Sequence, residues 1–205
     1  MRRRALLAAL PAFAAGCVSV GGSPPQAPVW YLLDDPGAGA SPAPPPARLP
    51  HVLLLGTVEA SSFDESAMLA YGRAPGVRAH YQFAGWTERP GRRIGVLLER
   101  RLAARGRFQA VAQATSGVRG DLVLNLALEH LYHDVTDSPG RARVALEAEL
   151  VGWRGRTLVG RRLFERSAPV ARESAGDAVA AIGVALSGVL DELCAWVEAS
   201  AAGAN

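Results

Sequence analysis

Apolar and polar residues alternate along three successive stretches in the second half of the chain. Over Asp121 to Val135, Leu122, Leu124, Leu126 and Leu128 fall on one face. Over Arg141 to Val151, Val144, Leu146, Ala148 and Leu150 share a face, with Arg143, Glu147 and Glu149 on the other. Thr157 to Ser167 is the third stretch. A period of two marks a strand with one buried face. The separators, Thr136 to Gly140 and Gly152 to Arg156, are rich in turn formers, so the three stretches predict an antiparallel meander.

Elsewhere the period lengthens. From Glu88 to Arg105, Ile94, Leu97, Leu98 and Leu102 lie on one helical stripe, Pro90 sits in the first turn and Gly106 supplies a stop. The arginines Arg92, Arg93, Arg100, Arg101 and Arg105, with Arg107 just beyond, read as a polar face of that helix. From Ser174 to Ala199, apolar residues from Ala178 to Val197 recur at steps of three and four, and Ser174 is placed to cap the start with Asp177 three residues on. Shorter strand patterns occupy His51 to Val58, Met68 to Tyr71, Val77 to Phe83 and Phe108 to Gln113, the middle two joined through Arg73-Ala74-Pro75-Gly76 as a hairpin. Val29 to Leu33 is a compact β-type run expected to enter the sheet. A strand, the first helix and a further strand can form a crossover, which the meander extends. The expected fold is a mixed α+β (α/β) single domain, with a mixed, largely antiparallel sheet packed against two long amphipathic helices.

The amino-terminal residues follow a different logic. Arg2-Arg3-Arg4 is a basic start, Ala5 to Phe13 is a short apolar run, and Ala14-Ala15-Gly16-Cys17 follows. The run is too short for a permanent membrane span and has the build of an export signal. A cysteine directly after Ala-Gly resembles the site of a bacterial lipoprotein signal, where the thiol is lipidated and the chain cut before it. The expected organisation is a signal over 1–16, a tether over 17–27, a domain over 28–200 containing a Pro-rich loop at 36–50, and a tail at 201–205. Val18 follows the cysteine in place of an aspartate that resembles an inner-membrane retention signal, which points to the outer membrane, facing the periplasm.

Charge changes the picture once this signal is set aside. The chain of 205 residues has a formal charge of +3, but three of its arginines lie within 1–16, which contains no acidic residue. The processed chain is therefore neutral, and a basic footprint for nucleic acid disappears. All 22 basic residues are arginine. Cys194 lies in an apolar helical run, where a buried, inert thiol is expected.

Candidate chemistry is sparse. The histidines are His51, His80, His130 and His133. On a strand, His130 and His133 point to opposite faces and cannot share a metal ion. There is no Gly-x-Ser-x-Gly elbow or phosphate-binding glycine loop. Asp34-Asp35 before Pro36-Gly37 reads as a turn, and Asp64 with Glu65 lacks the third partner an acid–base site needs. No catalytic residue, metal ligand or cofactor is assigned. The arginine face (Arg92, Arg93, Arg100, Arg101, Arg105) is the candidate surface for anionic lipid or an acidic partner.

The order of short motifs is similar to that of a known family. A lipoprotein signal is followed by Trp30-Tyr31-Leu32-Leu33, then Phe63-Asp64-Glu65 leading to Met68-Leu69-Ala70-Tyr71. Gly85-Trp86-Thr87-Glu88-Arg89-Pro90 opens a helix, Leu128-Glu129-His130-Leu131-Tyr132 lies in a strand, and the closing helix ends with Leu190-Asp191-Glu192-Leu193-Cys194-Ala195-Trp196-Val197. Together these resemble the ABC-type transport auxiliary lipoproteins, the PqiC-like proteins, from about Val29 to Val197. Asp64, Tyr71, Trp86 and Trp196 are the motif residues expected to serve the structure.

The resemblance implies a non-enzymatic periplasmic component, anchored in the outer membrane by lipid on Cys17. Its implied partners are a mammalian-cell-entry (MCE) domain protein and the permease and ATPase of an ABC system moving phospholipid or a related hydrophobic compound. Self-association as a homo-oligomer fits such a role. The alternative is a structural envelope lipoprotein that binds cell wall or another lipoprotein without carrying lipid.

Overall fold

The computed structural model describes residues 27–39 and 47–204. The signal, Cys17, most of the tether and the centre of the Pro-rich loop lie outside these residues. In chain order the elements are β1 (Val29–Tyr31), β2 (Leu49–Ala60), β3 (Met68–Gly72), β4 (Ala79–Trp86), α1 (Pro90–Arg105), β5 (Phe108–Gln113), β6 (Leu122–Asp134), β7 (Arg141–Gly152), β8 (Thr157–Pro169) and α2 (Ala175–Ala202). A short 3₁₀ turn at Ala114–Ser116 follows β5.

β6 organises the eight-stranded sheet. Along one side it pairs with β7 in a long antiparallel ladder, and β8 pairs antiparallel with β7. Along the other side it takes two parallel partners in succession. β2 pairs with its first half, from Leu53 opposite Leu122 to Ala60 opposite Leu128, and β3 joins at Tyr71 opposite His133. β5 lies parallel on the outer edge of β2, β4 antiparallel on β3, and β1 parallel on β4. The sheet is thus mixed, and the meander supplies its longest ladders.

Both helices cover one face. Strand residues directly opposite each other share a face, so Leu53, Leu55, Leu122, Leu124, Leu146 and Leu150 form a continuous apolar surface beneath them. Ile94, Leu97, Leu98 and Leu102 of α1 and Ile182, Leu186, Val189, Leu190, Leu193 and Val197 of α2 complete this core. α2 is long and apolar enough to cross a membrane, yet its apolar stripe is buried against the sheet, as in the core helix of a globular domain. The opposite face carries Glu59, Asn125, Glu147, Glu149, Arg161 and Leu163 without helical cover.

Helix ends follow local chemistry. The Ser174 hydroxyl accepts the Asp177 N–H, a side-chain cap at the start of α2. Gly106 closes α1 in the left-handed region at φ 63° and donates its N–H to the Ala103 carbonyl. At the other end of the chain one expectation needs correction. α2 continues to Ala202 and buries Ala201 completely, so residues 201 and 202 belong to the domain rather than to a tail. The cause is phase: Ala201 lies four residues after Val197, which itself lies four after Leu193, on the same buried stripe.

Candidate functional site

The most heavily bonded polar group in the helical layer is Arg101. Its Nε and Nη2 donate to the two carboxylate oxygens of Asp35 at 2.8 and 2.6 Å. Nη1 donates to the Ser187 carbonyl at 3.1 Å and to Asp191, and Nη2 also reaches the Ser187 hydroxyl at 3.0 Å. The Asp35 side chain is fully buried and Arg101 nearly so. A buried guanidinium needs its donors satisfied, and a fork facing a carboxylate satisfies several at once. The cluster joins the segment after β1 to both helices. Asp35 is more than a turn residue, although its Oδ1 does also accept the Gly37 N–H at 3.2 Å.

This arrangement divides the arginine face expected from sequence. Arg93 donates to the Leu33 carbonyl at 2.8 Å and lies 3.9 Å from both Asp34 and Glu88. Arg105 makes two bonds to Glu198, which hold its guanidinium above the ordinary arginine range. Arg101 is inside the protein. Only Arg92 and Arg100 are exposed, and neither has an ion-pair partner among the described residues. The helix does not present five arginines to one partner; three of them are committed to packing α1 against its surroundings.

The motif residues lie at separate places in the fold. Trp86 is buried in the core, and Trp196 meets Phe164 edge-on with ring centroids 5.6 Å apart. Tyr71 meets Tyr81 edge-on at 5.1 Å and lies under Arg73. Asp64 accepts the Ser61 hydroxyl at 2.6 Å while its own N–H donates to the same oxygen, closing a local turn. His130 is exposed, whereas His133 is buried on the other face. The Nε2 of His133 faces the Pro139 carbonyl at 2.8 Å, and a carbonyl can only accept. In the neutral ring, Nδ1 is therefore the acceptor and the Tyr81 hydroxyl donates to it at 2.7 Å. Among the described residues, no three His, Cys, Asp or Glu side chains are grouped to hold a metal ion.

A groove lies where the two parallel strands differ in length. β5 ends at Gln113, opposite Leu55, while β2 continues to Ala60. Beyond Leu55, β2 has β6 on one side and no strand on the other. α1 overhangs this open edge, with Gly91 and Gly95 facing Val58. The result is a groove of about 570 Å³ lined by Gly56, Thr57, Val58 and Ala60 on the strand side and by Gly91, Gly95 and Val96 on the helix side. Arg89, Arg92 and Glu65 stand around it, and at the β5 end Glu99 accepts from the Gln113 amide. The β2–β6 register shifts between Leu55 and Val58, and a methyl group on Gly56 would lie 2.7 Å from the side-chain oxygen of the exposed Asn125, which would have to turn aside. The groove was not visible in the sequence, because it depends on one strand being shorter than its parallel neighbour.

The solved structures that resemble this one support the fold. A Xanthomonas campestris protein, XCC0632, superposes with a TM-score of 0.74 at 22% identity, over 87% of this chain and 96% of its own. The hypothetical protein CT253 from Chlamydia trachomatis gives 0.56 at 8% identity, over 76% of this chain and 100% of its own. No curated protein matches the chain. At these identities the likeness speaks for architecture alone. The sequence itself is more specific: a family model for the ABC-type transport auxiliary lipoprotein component matches residues 31–194, from β1 through most of α2. The chain belongs to the ABC-type transport auxiliary lipoprotein family.

Proposed function

We propose that this protein is a non-enzymatic, lipid-anchored accessory of an ABC transport system of the MCE type, held at the outer membrane and facing the periplasm. Its system would move phospholipid or a related hydrophobic compound. The observation that carries this reading is the family match over residues 31–194 combined with Cys17 directly after Ala15-Gly16. Two or more acyl chains on Cys17 would make attachment durable, since each buried methylene contributes about 0.8 kcal/mol and a single chain binds only reversibly. The ten residues from Val18 to Ala27 could reach about 33 Å at roughly 3.3 Å per residue, which keeps the domain close to the membrane.

The geometry around Arg101 suits an anchored protein. The chain leaving the tether forms β1 and is then fastened to both helices through Asp35, so a pull on the anchor is taken up by the core. A non-enzymatic role is supported by the motif carboxylate Asp64, which is used within its own turn, and by His130 and His133, which face apart. The test is detergent purification of the wild-type protein and Cys17→Ser from envelope fractions. The wild type should sediment with outer membrane and retain MCE and permease subunits, and Cys17→Ser should be released as a folded protein. Cys17→Ser remaining wholly with the outer membrane would remove the anchoring account.

A further inference from the structure

We infer that the groove between α1 and the open edge of β2 receives the carboxy-terminal segment of a partner protein as an added strand. After a bulge at Gly56 and Thr57, β2 pairs with β6 on one side from Val58 to Ala60, and no strand pairs with its other side from Gly56 onward. Unpaired strand edges are templates for an incoming chain, and this one is set in a groove that begins past the 3₁₀ turn after β5, whose Thr115 lines it. Five residues of β2 at roughly 3.3 Å each offer about 17 Å of edge. An acyl chain would fit the apolar walls but leave the main-chain groups of that edge without partners, which favours a peptide.

Charge gives the segment a direction. α1 runs antiparallel to β2: Gly91 near its start lies against Val58, whereas Glu99 bonds Gln113 at the level of Leu55. Arg89 and Arg92 therefore stand at the Ala60 end, beside the amino terminus of α1, and have no ion-pair partner among the described residues. A strand continuing the parallel course of β5 would bring its carboxy terminus to that end. The terminal carboxylate would meet two guanidinium groups against the single carboxylate of Glu65 at that end, and Glu99 would remain at the opposite end. Gly91 and Gly95 let α1 sit directly on Val58, where a Cβ at Gly91 would lie 3.3 Å from the Val58 carbonyl oxygen, so the incoming backbone would have to lie beside these contacts along the strand edge.

The inference does not depend on the anchor, and its failure would leave membrane attachment untouched. The test uses the full chain and a random peptide library displayed with free carboxy termini. Selected peptides should lose affinity at least tenfold when their carboxylate is amidated, and likewise against the exposed double variant Arg89→Ala/Arg92→Ala. Gly95→Leu, which projects a side chain into the groove, should abolish binding while thermal melting shows a folded protein. Bound peptide should slow hydrogen exchange at the amides of residues 56–60. The inference is overturned if no peptide is selected, or if those selected ignore both amidation and Gly95→Leu. A fluorescent fatty acid that binds the wild type but not Gly95→Leu, with no peptide competing, would assign the groove to an acyl ligand instead.

Discussion

Arg101 and Asp35, 66 residues apart in sequence, meet in a bidentate ion pair at 2.6 and 2.8 Å that is closed to solvent. The pair ties the segment after β1 to α1, and the remaining donors of Arg101 tie it to Ser187 and Asp191 on α2. The amino-terminal segment is therefore a part of the domain's frame.

Removing one partner would leave the other charge buried and unmatched. Arg101→Ala is expected to destabilise the protein by about 3–5 kcal/mol, and Asp35→Ala by a similar amount. The double variant Arg101→Met/Asp35→Leu, which removes both charges and keeps bulk, should recover much of that loss. Urea unfolding of the four proteins checks this. A loss below about 1 kcal/mol for Arg101→Ala would show that the pair is exposed or loosely held.

Burial pushes the Cys194 thiol up from its ordinary value of 9.0 to about 12, against the opposing pull of Arg105 and Arg101. Between these values the folded state keeps a proton that the unfolded state has lost, so stability is full below pH 9 and falls as the pH rises toward 12. Cys194→Ala should flatten part of that alkaline decline in melting temperature. At pH 8 the native thiol should resist iodoacetamide for hours and react at once in denaturant. Rapid labelling of the native protein would contradict the burial.

Gly140 and Gly76 both adopt positive φ, 89° and 73°, but in different surroundings. A Cβ on Gly140 would lie 2.2 Å from the Asp134 carbonyl oxygen and 2.8 Å from His133 Nε2, whereas one on Gly76 meets nothing within 4 Å. Gly76→Ala should cost about 1–2 kcal/mol, the left-handed backbone penalty alone. Gly140→Ala should cost several kcal/mol more, because the carbonyl is main chain and cannot swing aside. Paired thermal melts test this, and equal losses would mean that the turn at Gly140 relaxes freely.

The sheet and both helices were legible because their signals are local. Alternation at Leu122 to Leu128 and at Val144 to Leu150 identifies the buried face, and Ser174 with Asp177 marks the start of α2. Arg101 departs from the polar face expected of it for a positional reason. Grouped with four other arginines it resembles a solvated face, but it lies three residues after Leu98 and four after Leu97, in phase with the buried stripe. Position on the helix was a better guide than residue type. Its partner Asp35 gave no local sign, since a carboxylate before Pro36-Gly37 has the look of any turn. The order of strands within the sheet was equally hidden. β6 takes β2 and β3 in succession along one edge, a relation set by long-range packing.

The proposed role requires an acylated Cys17 that fastens this domain to a membrane as part of a transport assembly. Intact-mass analysis of the protein extracted with detergent from its own envelope tests it most directly. The expected result is a chain that begins at Cys17 and exceeds its polypeptide mass by two or three acyl chains. A free thiol at Cys17, or a chain still bearing residues 1–16, would contradict it.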